Sequence, residues 1–372
     1  MTTLTRRDLN RATLARQLLL ERARMPVRDA VEHLAGLQAQ TPHSWYLGFA
    51  SRLADVRPEE IAELLDRREL VRIALMRGTI HLVSARDCRW MRPLVQPVLD
   101  RDLRSNFTHT RPIAGLDLDE LVDAARPILE ERPRTSRELG ALLAEHGVRA
   151  GWGERAPASL AYAARNRMAL VQVPPRGLWG RSGPIAHTTA ESWLGEPLAD
   201  GAAPDELVLR YLAAFGPATV KDVQAWSGLT RLREVVNRLR PRLAAFTGED
   251  GQELFDLPDA PRPGGDAPAP PRLLYDFDNL LLSHADRSRF VTAEHLAQGY
   301  ATRRPVPGWV LVDGFTGGEW EIARERDAAV LTIRTYAPPP EGLAEEGERL
   351  LAFAHADAAR RDVRVERLRT AP

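Results

Sequence analysis

The 372-residue sequence predicts an α+β protein in which three helical blocks, each closed by a short β-hairpin, precede a β-rich C-terminal unit. Three observations predict it. Apolar residues recur at helical spacing in 5–22, 118–129 and 207–215. The period then shortens toward two in 71–84, 169–173 and 243–257. Beyond a Pro-rich stretch at 258–272, extended apolar runs dominate. Helices leading into a small hairpin make a winged helix-turn-helix, so the chain reads as three such motifs in tandem with a barrel-like C-terminal unit. The expected divisions are 1–113, 114–200, 201–258 and 259–372.

The first block opens with Leu9, Leu14, Leu18 and Leu19 separated by arginines, the pattern of a surface helix facing one core. A helix follows Pro26 and carries Val31, Leu34 and Ala35 until Gly36 loosens it. Two more helices are expected around Trp45–Leu53 and Pro58–Leu65, then two strands about Arg77 and Gly78. In the second block, Leu118–Leu129 is helical and Thr135 with Glu138 forms a capping box that opens a helix over 136–146. Another helix spans 155–167, and Ala169–Val173 is a strand. The third block has helices at Leu207–Phe215, Thr219–Trp226 and 230–240, then strands 243–247 and 253–257. Residues 258–272 read as a linker or long exposed loop. Strands follow at 273–282, 308–315, 319–323 and 329–334, with a turn at Thr316-Gly-Gly, a helix over 343–359 and a last strand near 363–368.

Hydrophobic content of 44% and charged content of 27% are those of a globular protein. No apolar run approaches the ~18 residues that a membrane span requires, so no membrane partner is expected. The N-terminus lacks the apolar core of a signal peptide, and Cys88 is the single cysteine, which implies cytoplasmic residence without an internal disulfide. The formal net charge of zero argues against nucleic acid, but charge is segregated: Arg67 to Arg111 holds ten arginines against Glu69, Asp87, Asp100 and Asp102. Lys221 is the only lysine, so positive charge is almost entirely guanidinium, suited to phosphate. A compositional habit of an arginine-rich genome explains the same numbers, and both readings stand.

The stretch that packing does not account for is Gln38-Ala39-Gln40, two amides between an apolar helix and Pro42. Residues i and i+2 of a helix point to different sides, so the helix is expected to end here, with Gln38 on its last turn and Gln40 at its edge. On their own, the two glutamines equally suit capping a helix terminus or bracing the loop at 41–44. His33, His43 and His284 never reach metal-ligand spacing with a cysteine, and no metal or other cofactor is expected.

Taken together, Gln38-Ala39-Gln40, Met76-Arg-Gly-Thr-Ile-His-Leu-Val83, Arg210-Tyr-Leu-Ala-Ala-Phe-Gly-Pro217 with Asp222 and Trp226-Ser-Gly-Leu229, Tyr275-Asp-Phe-Asp-Asn-Leu-Leu-Leu-Ser-His-Ala-Asp-Arg287 and Val312-Asp-Gly314 resemble the tandem winged-helix bacterial DNA glycosylases of the AlkZ and YcaQ type. The resemblance runs in order over nearly the whole chain. It implies a C-shaped fold around a concave face that binds double-stranded DNA, excision of N7-alkylated purines, and unhooking of interstrand crosslinks, in repair or in self-resistance to a DNA-alkylating natural product. It places catalysis on Gln38 and Gln40, the double-glutamine form of a signature whose other form ends in aspartate. A monomer without an obligatory protein partner, associated with the nucleoid, is expected.

The chemistry suits amides. An N7-alkylated purine is already cationic and leaves neutral, so no general acid is needed; what remains is to hold a water and steady an oxocarbenium-like sugar. A glutamine carbonyl accepts from water and its amide donates, but it is no base at neutral pH. Without a lysine near the signature, a Schiff-base lyase step is not expected, and the enzyme should be monofunctional. Further DNA contacts are expected from Arg77, Thr79 and His81 on the first wing, from Asp278, Asn279, His284 and Arg287 after the 273–282 strand, and from a groove-probing hairpin at Thr316 and Gly317. Each has an internal alternative: His81 bonded to backbone, Asp286 and Arg287 stapling a loop, Trp320 in the core. A winged-helix transcriptional regulator without catalysis is the alternative function, and a protein-binding scaffold a second.

Overall fold

A computed structural model describes residues 2–201, 203–298 and 306–368. It begins with β1 (Thr3–Leu4) and α1 (Arg6–Arg16), started by a capping box in which Thr5 Oγ1 accepts from the Asp8 amide at 3.1 Å and Asp8 accepts from the Thr5 amide at 2.8 Å. There follow α2 (Val27–His33), β2 (Leu37–Gln38), α3 (Ser44–Ala50) and α4 (Pro58–Asp66). β3 (Leu70–Ala74) and β4 (Ile80–Ser84) form the expected hairpin, turning where Arg77 and Gly78 take φ of 58° and 72°. Next come α5 (Ala85–Leu94), α6 (Gln96–Ser105) and α7 (Phe107–Thr110), which arginine-dense sequence concealed. α8 (Leu118–Glu131), β5 (Arg134–Thr135), α9 (Ser136–Arg149) with its capping box, α10 (Pro157–Arg167), β6 (Leu170–Gln172), β7 (Ala186–Thr189) and α11 (Ala190–Leu194) follow. The chain continues through α12 (Pro204–Phe215), α13 (Val220–Ser227), α14 (Leu232–Leu239), β8 (Ala244–Gly248) and β9 (Glu253–Asp256). It closes with β10 (Arg272–Leu274), α15 (Ala293–Ala297), β11 (Gly308–Val312), β12 (Phe315–Glu325), β13 (Ala328–Thr335), α16 (Leu343–Ala354) and β14 (Arg360–Arg367).

These elements make two compact units. One comprises Ala62–Leu207 with Ser227–Arg231. In it, antiparallel strands run in the order β4, β3, β6, β7, β5, so the hairpin expected as a first wing and the strand expected for a second share one sheet. Leu121, Leu129, Leu139, Leu143 and Leu160 from α8, α9 and α10 form its apolar core.

The other unit comprises Met1–Ile61, Val208–Trp226 and Leu232–Pro372. Its main sheet has the order β10, β11, β12, β13, β14, antiparallel except for the parallel pair β13 and β14. A parallel pair needs a crossover, and α16 supplies it, packing on β10, β13 and β14. The expected barrel-like unit is therefore a sheet in linear order backed by a helix, with Trp320, Leu331, Ile333, Leu343 and Leu351 between them.

Two expectations are corrected in this unit. α1 is interior rather than a surface helix: Leu9, Asn10, Arg11, Ala12, Thr13, Leu14 and Arg16 are buried. Its arginines meet internal acceptors, Arg16 donating to both oxygens of Asp256 at 2.6 and 2.8 Å and Arg11 to the carbonyl of Asp313 at 3.0 Å. The Pro-rich stretch is not a free linker but a strap across α1, fixed where the Gly265 amide donates to Asp8 at 2.8 Å and Arg11 donates to the Ala267 carbonyl at 2.7 Å.

Candidate active site

The Gln38-Ala39-Gln40 stretch owes its conformation to the end of α2. The Ala35 amide donates to the Glu32 carbonyl at 3.1 Å and the Gly36 amide to the Val31 carbonyl at 2.9 Å, the paired bonds of a Schellman cap. Ala35 and Gly36 take φ of 54° and 87°, the left-handed region that glycine enters without strain. The left-handed pair Ala35 and Gly36 thus stops the helix, where Gly36 was expected only to loosen it, and Leu37–Gln38 is extended. This corrects the helical placement of Gln38. Gln38 is 4% exposed, while Gln40 is open to solvent.

Both ends of the segment are held by one loop. Before it, Asn279 Nδ2 donates to the Gly36 carbonyl at 3.2 Å; after it, Thr41 Oγ1 donates to Asp276 Oδ2 at 2.5 Å. The loop is itself anchored: Asp278 takes two bonds from Arg52 of the segment after α3, at 2.8 and 2.7 Å, and its Oδ1 accepts from the Leu280 amide at 3.0 Å. Those side-chain acceptors compete with the ladder, which is why the strand expected over 273–282 stops at Leu274. A Cβ on Gly48 would come within 2.9 Å of the Tyr275 ring and 3.2 Å of Leu37, so a bare glycine lets α3 pack against both. Thr41 and Asp276 were not singled out by sequence; the signal available was that Thr41 directly follows the Gln38-Ala39-Gln40 stretch and Asp276 lies in the Tyr275–Arg287 phrase.

Several expected DNA-facing residues are internal. Asp278 and Asn279 are 1% and 4% exposed and perform the anchoring just described. His284 is buried, its Nε2 donating to the Phe215 carbonyl at 3.2 Å, and burial together with the Arg289 charge pulls its pKa down to about 3. Thr316 is 1% exposed: its hydroxyl accepts from the Thr292 amide at 3.0 Å. The turn expected at Thr316-Gly-Gly lies instead at Asp313 and Gly314, with φ of 48° and 79°, and β12 continues past a bulge at Gly317, where Val310 pairs with Gly318 but Leu311 with Thr316. That turn seats on α1, where Arg7 donates to Asp313 at 2.7 Å. Arg287 remains exposed.

In the Ala62–Leu207 unit, Arg77 and Thr79 are half-buried on the β3–β4 turn, Thr79 Oγ1 donating to the Met76 carbonyl at 3.0 Å. His81 follows its internal alternative. Its Nδ1 donates to the Thr79 carbonyl at 3.0 Å, and burial, reinforced by the Arg77 charge, lowers its pKa to about 3. Among the described residues no three His, Cys, Asp or Glu side chains gather to hold a metal ion, and no helix is long and apolar enough to cross a membrane.

The family model of the AlkZ-like DNA glycosylases matches residues 31–353, which spans the signature segment, the loop that holds it and both units. The chain belongs to this family. Within 336 residues, 83% of this chain and 85% of the relative, it is 28% identical to an interstrand DNA cross-link repair glycosylase of Streptomyces sahachiroi. The structure of the DNA glycosylase AlkZ of Streptomyces sahachiroi superposes with a TM-score of 0.77 at 23% identity, covering 98% of this chain and 100% of that one, a likeness in fold. In this AlkZ-like glycosylase, Gln38 therefore ends a short strand and Gln40 follows it on a segment that a loop fixes, with Asp276, Asp278 and Asn279 of that loop as its support.

Proposed function

We propose that this AlkZ-like DNA glycosylase hydrolyses the N-glycosidic bond of N7-alkylated, cationic purines in double-stranded DNA, with Gln38 and Gln40 at the reacting sugar. The observation that carries the reading is the doubly held segment: a buried Gln38 and an exposed Gln40, two residues apart, between the Gly36 and Thr41 anchors. Fixed amides position water and face a developing cation without reorganising, which is the part of glycosidic catalysis that a cationic base leaves to the enzyme. Such positioning and electrostatics supply about 3–7 kcal/mol, enough for a primed bond and too little for a neutral one.

The finer reading follows from the same chemistry. The chain carries a single lysine, Lys221 on α13, so hydrolysis stops at an abasic site without a lyase step. Arg77, Thr79 and Arg287 are the candidates for backbone contacts, the helical blocks acting as winged units. The relative from Streptomyces sahachiroi, named for interstrand cross-link repair, favours interstrand crosslinks among the substrates; bulky adducts, a role in repair or in self-resistance, and a monomeric cytoplasmic enzyme complete the proposal. The experiment is incubation with duplex DNA bearing one N7-methylguanine, followed by alkali. Release of the base with strand cleavage only after alkali is expected. Release of undamaged adenine or uracil at a similar rate would overturn the cationic-substrate reading, and binding without release would favour a regulator.

A further inference from the structure

Beside the signature segment lies a cavity of about 140 Å³. Phe277, Leu281, Leu282, Val291 and Trp309 give it an apolar wall, and Asp276 closes one side. Two polar groups on its lining carry no net charge into it. His295, whose Nδ1 bonds the Tyr336 hydroxyl at 2.9 Å, is kept neutral because burial lowers its pKa to about 4. Asp278 is matched by Arg52 at 2.7 Å. The exposed Arg287 completes the lining.

Position gives the cavity its meaning. The Asp276 side chain that borders it is the one that accepts from Thr41, directly after Gln40, and the Asp276 carbonyl accepts from Trp309 Nε1 at 3.2 Å. One residue therefore belongs to both the cavity wall and the anchor of the catalytic segment. A roughly 150 Å³ apolar cavity takes a benzene-sized ring, whereas a methyl group leaves most of such a space empty. Apolar surface beside a site that must bind DNA is retained against the hydrophobic cost of exposing it, which favours an apolar occupant.

We propose that this cavity receives the apolar or aromatic substituent carried on N7 of the alkylated purine, so that the protein selects ring-bearing adducts over small ones. The inference rests on the glycosylase reading above. Its chemistry requires no further reactant: the substituent leaves with the base.

The test compares single-turnover release of N7-benzylguanine and N7-methylguanine from the same duplex. Filling the cavity with Leu282→Trp should lower the benzyl-to-methyl rate ratio about tenfold or more, the discrimination an apolar pocket achieves for a group of this kind, while methyl release is retained. Independently of any variant, free 7-benzylguanine should inhibit the native protein about tenfold more tightly than free 7-methylguanine. An unchanged ratio in a folded Leu282→Trp protein, or equal loss on both lesions as a neighbouring DNA base in the cavity would produce, overturns the inference. So does equal inhibition by the two free bases. Native protein that releases methylguanine but not benzylguanine sinks the inference alone, and native protein that releases neither sinks the glycosylase reading as well.

Discussion

Two polar regions of the same unit look alike in sequence and differ in what their polar atoms do. Gln38-Ala39-Gln40 and Tyr275–Arg289 each follow an apolar element and each carry hydrogen-bonding side chains where packing would prefer apolar ones. In the second, the interior consumes them: Asp278 by Arg52, Asn279 by the Gly36 carbonyl, His284 by the Phe215 carbonyl, and Arg289 by the Pro217 carbonyl at 2.9 Å. In the first, Gln40 faces solvent beside a buried Gln38. Buried polar groups that are satisfied hold a shape, and a side chain that reaches solvent from a held backbone can meet a ligand. The two regions are thus a scaffold and what it presents.

The largest expected effect separates them by function. Gln38→Ala and Gln40→Ala should each lower single-turnover release of N7-methylguanine by about 10²–10³, the cost of removing one preorganised electrostatic group, with DNA affinity close to native and, for the exposed Gln40, an unchanged urea midpoint. Gel-shift titration and denaturation on the same samples check this; a fall in stability matching the fall in rate would move the glutamines into the scaffold.

Next in size is the scaffold's ion pair. Arg52→Met leaves Asp278 buried and uncompensated, which should cost about 3–5 kcal/mol in urea unfolding. Adding Asp278→Leu should recover much of that loss, because removing both charges is far cheaper than stranding one.

Acid offers a third handle. The folded-state pKa of His284 is about 3, well below its unfolded value near 6.5, so between these pH values the unfolded chain binds a proton that the native state refuses. Stability is therefore full above about pH 6.5 and falls with decreasing pH by about 1.4 kcal/mol per unit for each such histidine, levelling near its folded pKa. His81 and His187, also held near 3 by burial, add to the slope. His284→Gln should flatten the dependence of melting temperature between pH 6.5 and 4, since an amide donor replaces the imidazole without titrating.

The sequence made most helices legible because their starts are chemical: the Thr135 and Thr219 caps and Pro26 at the head of α2 act within one turn. It pointed to the glutamines only through the resemblance, since capping or loop bracing accounts for them locally as well. What it hid was long-range. Arg11, Arg16, Arg52 and Arg92 read as surface or DNA-facing charge, yet their partners lie far along the chain, as with Arg92 and the Met168 carbonyl at 2.9 Å. The same limit misplaced the 312–318 hairpin: either Asp313-Gly314 or Thr316-Gly-Gly supplies a turn, and only contact with α1 decides between them. The helical placement of Gln38 failed for a local reason, because Ala35 rather than glycine takes the first left-handed position of the cap.

The smallest expected effect tests whether burial is what distinguishes the scaffold's pairs. Arg24 and Asp55 form a guanidinium–carboxylate pair of the same chemistry as Arg52 and Asp278, but with side chains 78% and 69% exposed. Water solvates both partners whether or not they meet, salt screens the attraction, and two long side chains lose rotamer freedom to hold one geometry, so the pair should contribute under about 1 kcal/mol. Arg24→Ala should shift the urea midpoint slightly, by an amount that shrinks further in high salt, while Arg52→Met keeps its full effect there. A loss at Arg24 comparable to that at Arg52 would mean that pairing itself, rather than exclusion of water, stabilises this unit, and the division between scaffold and presented residues would no longer follow burial.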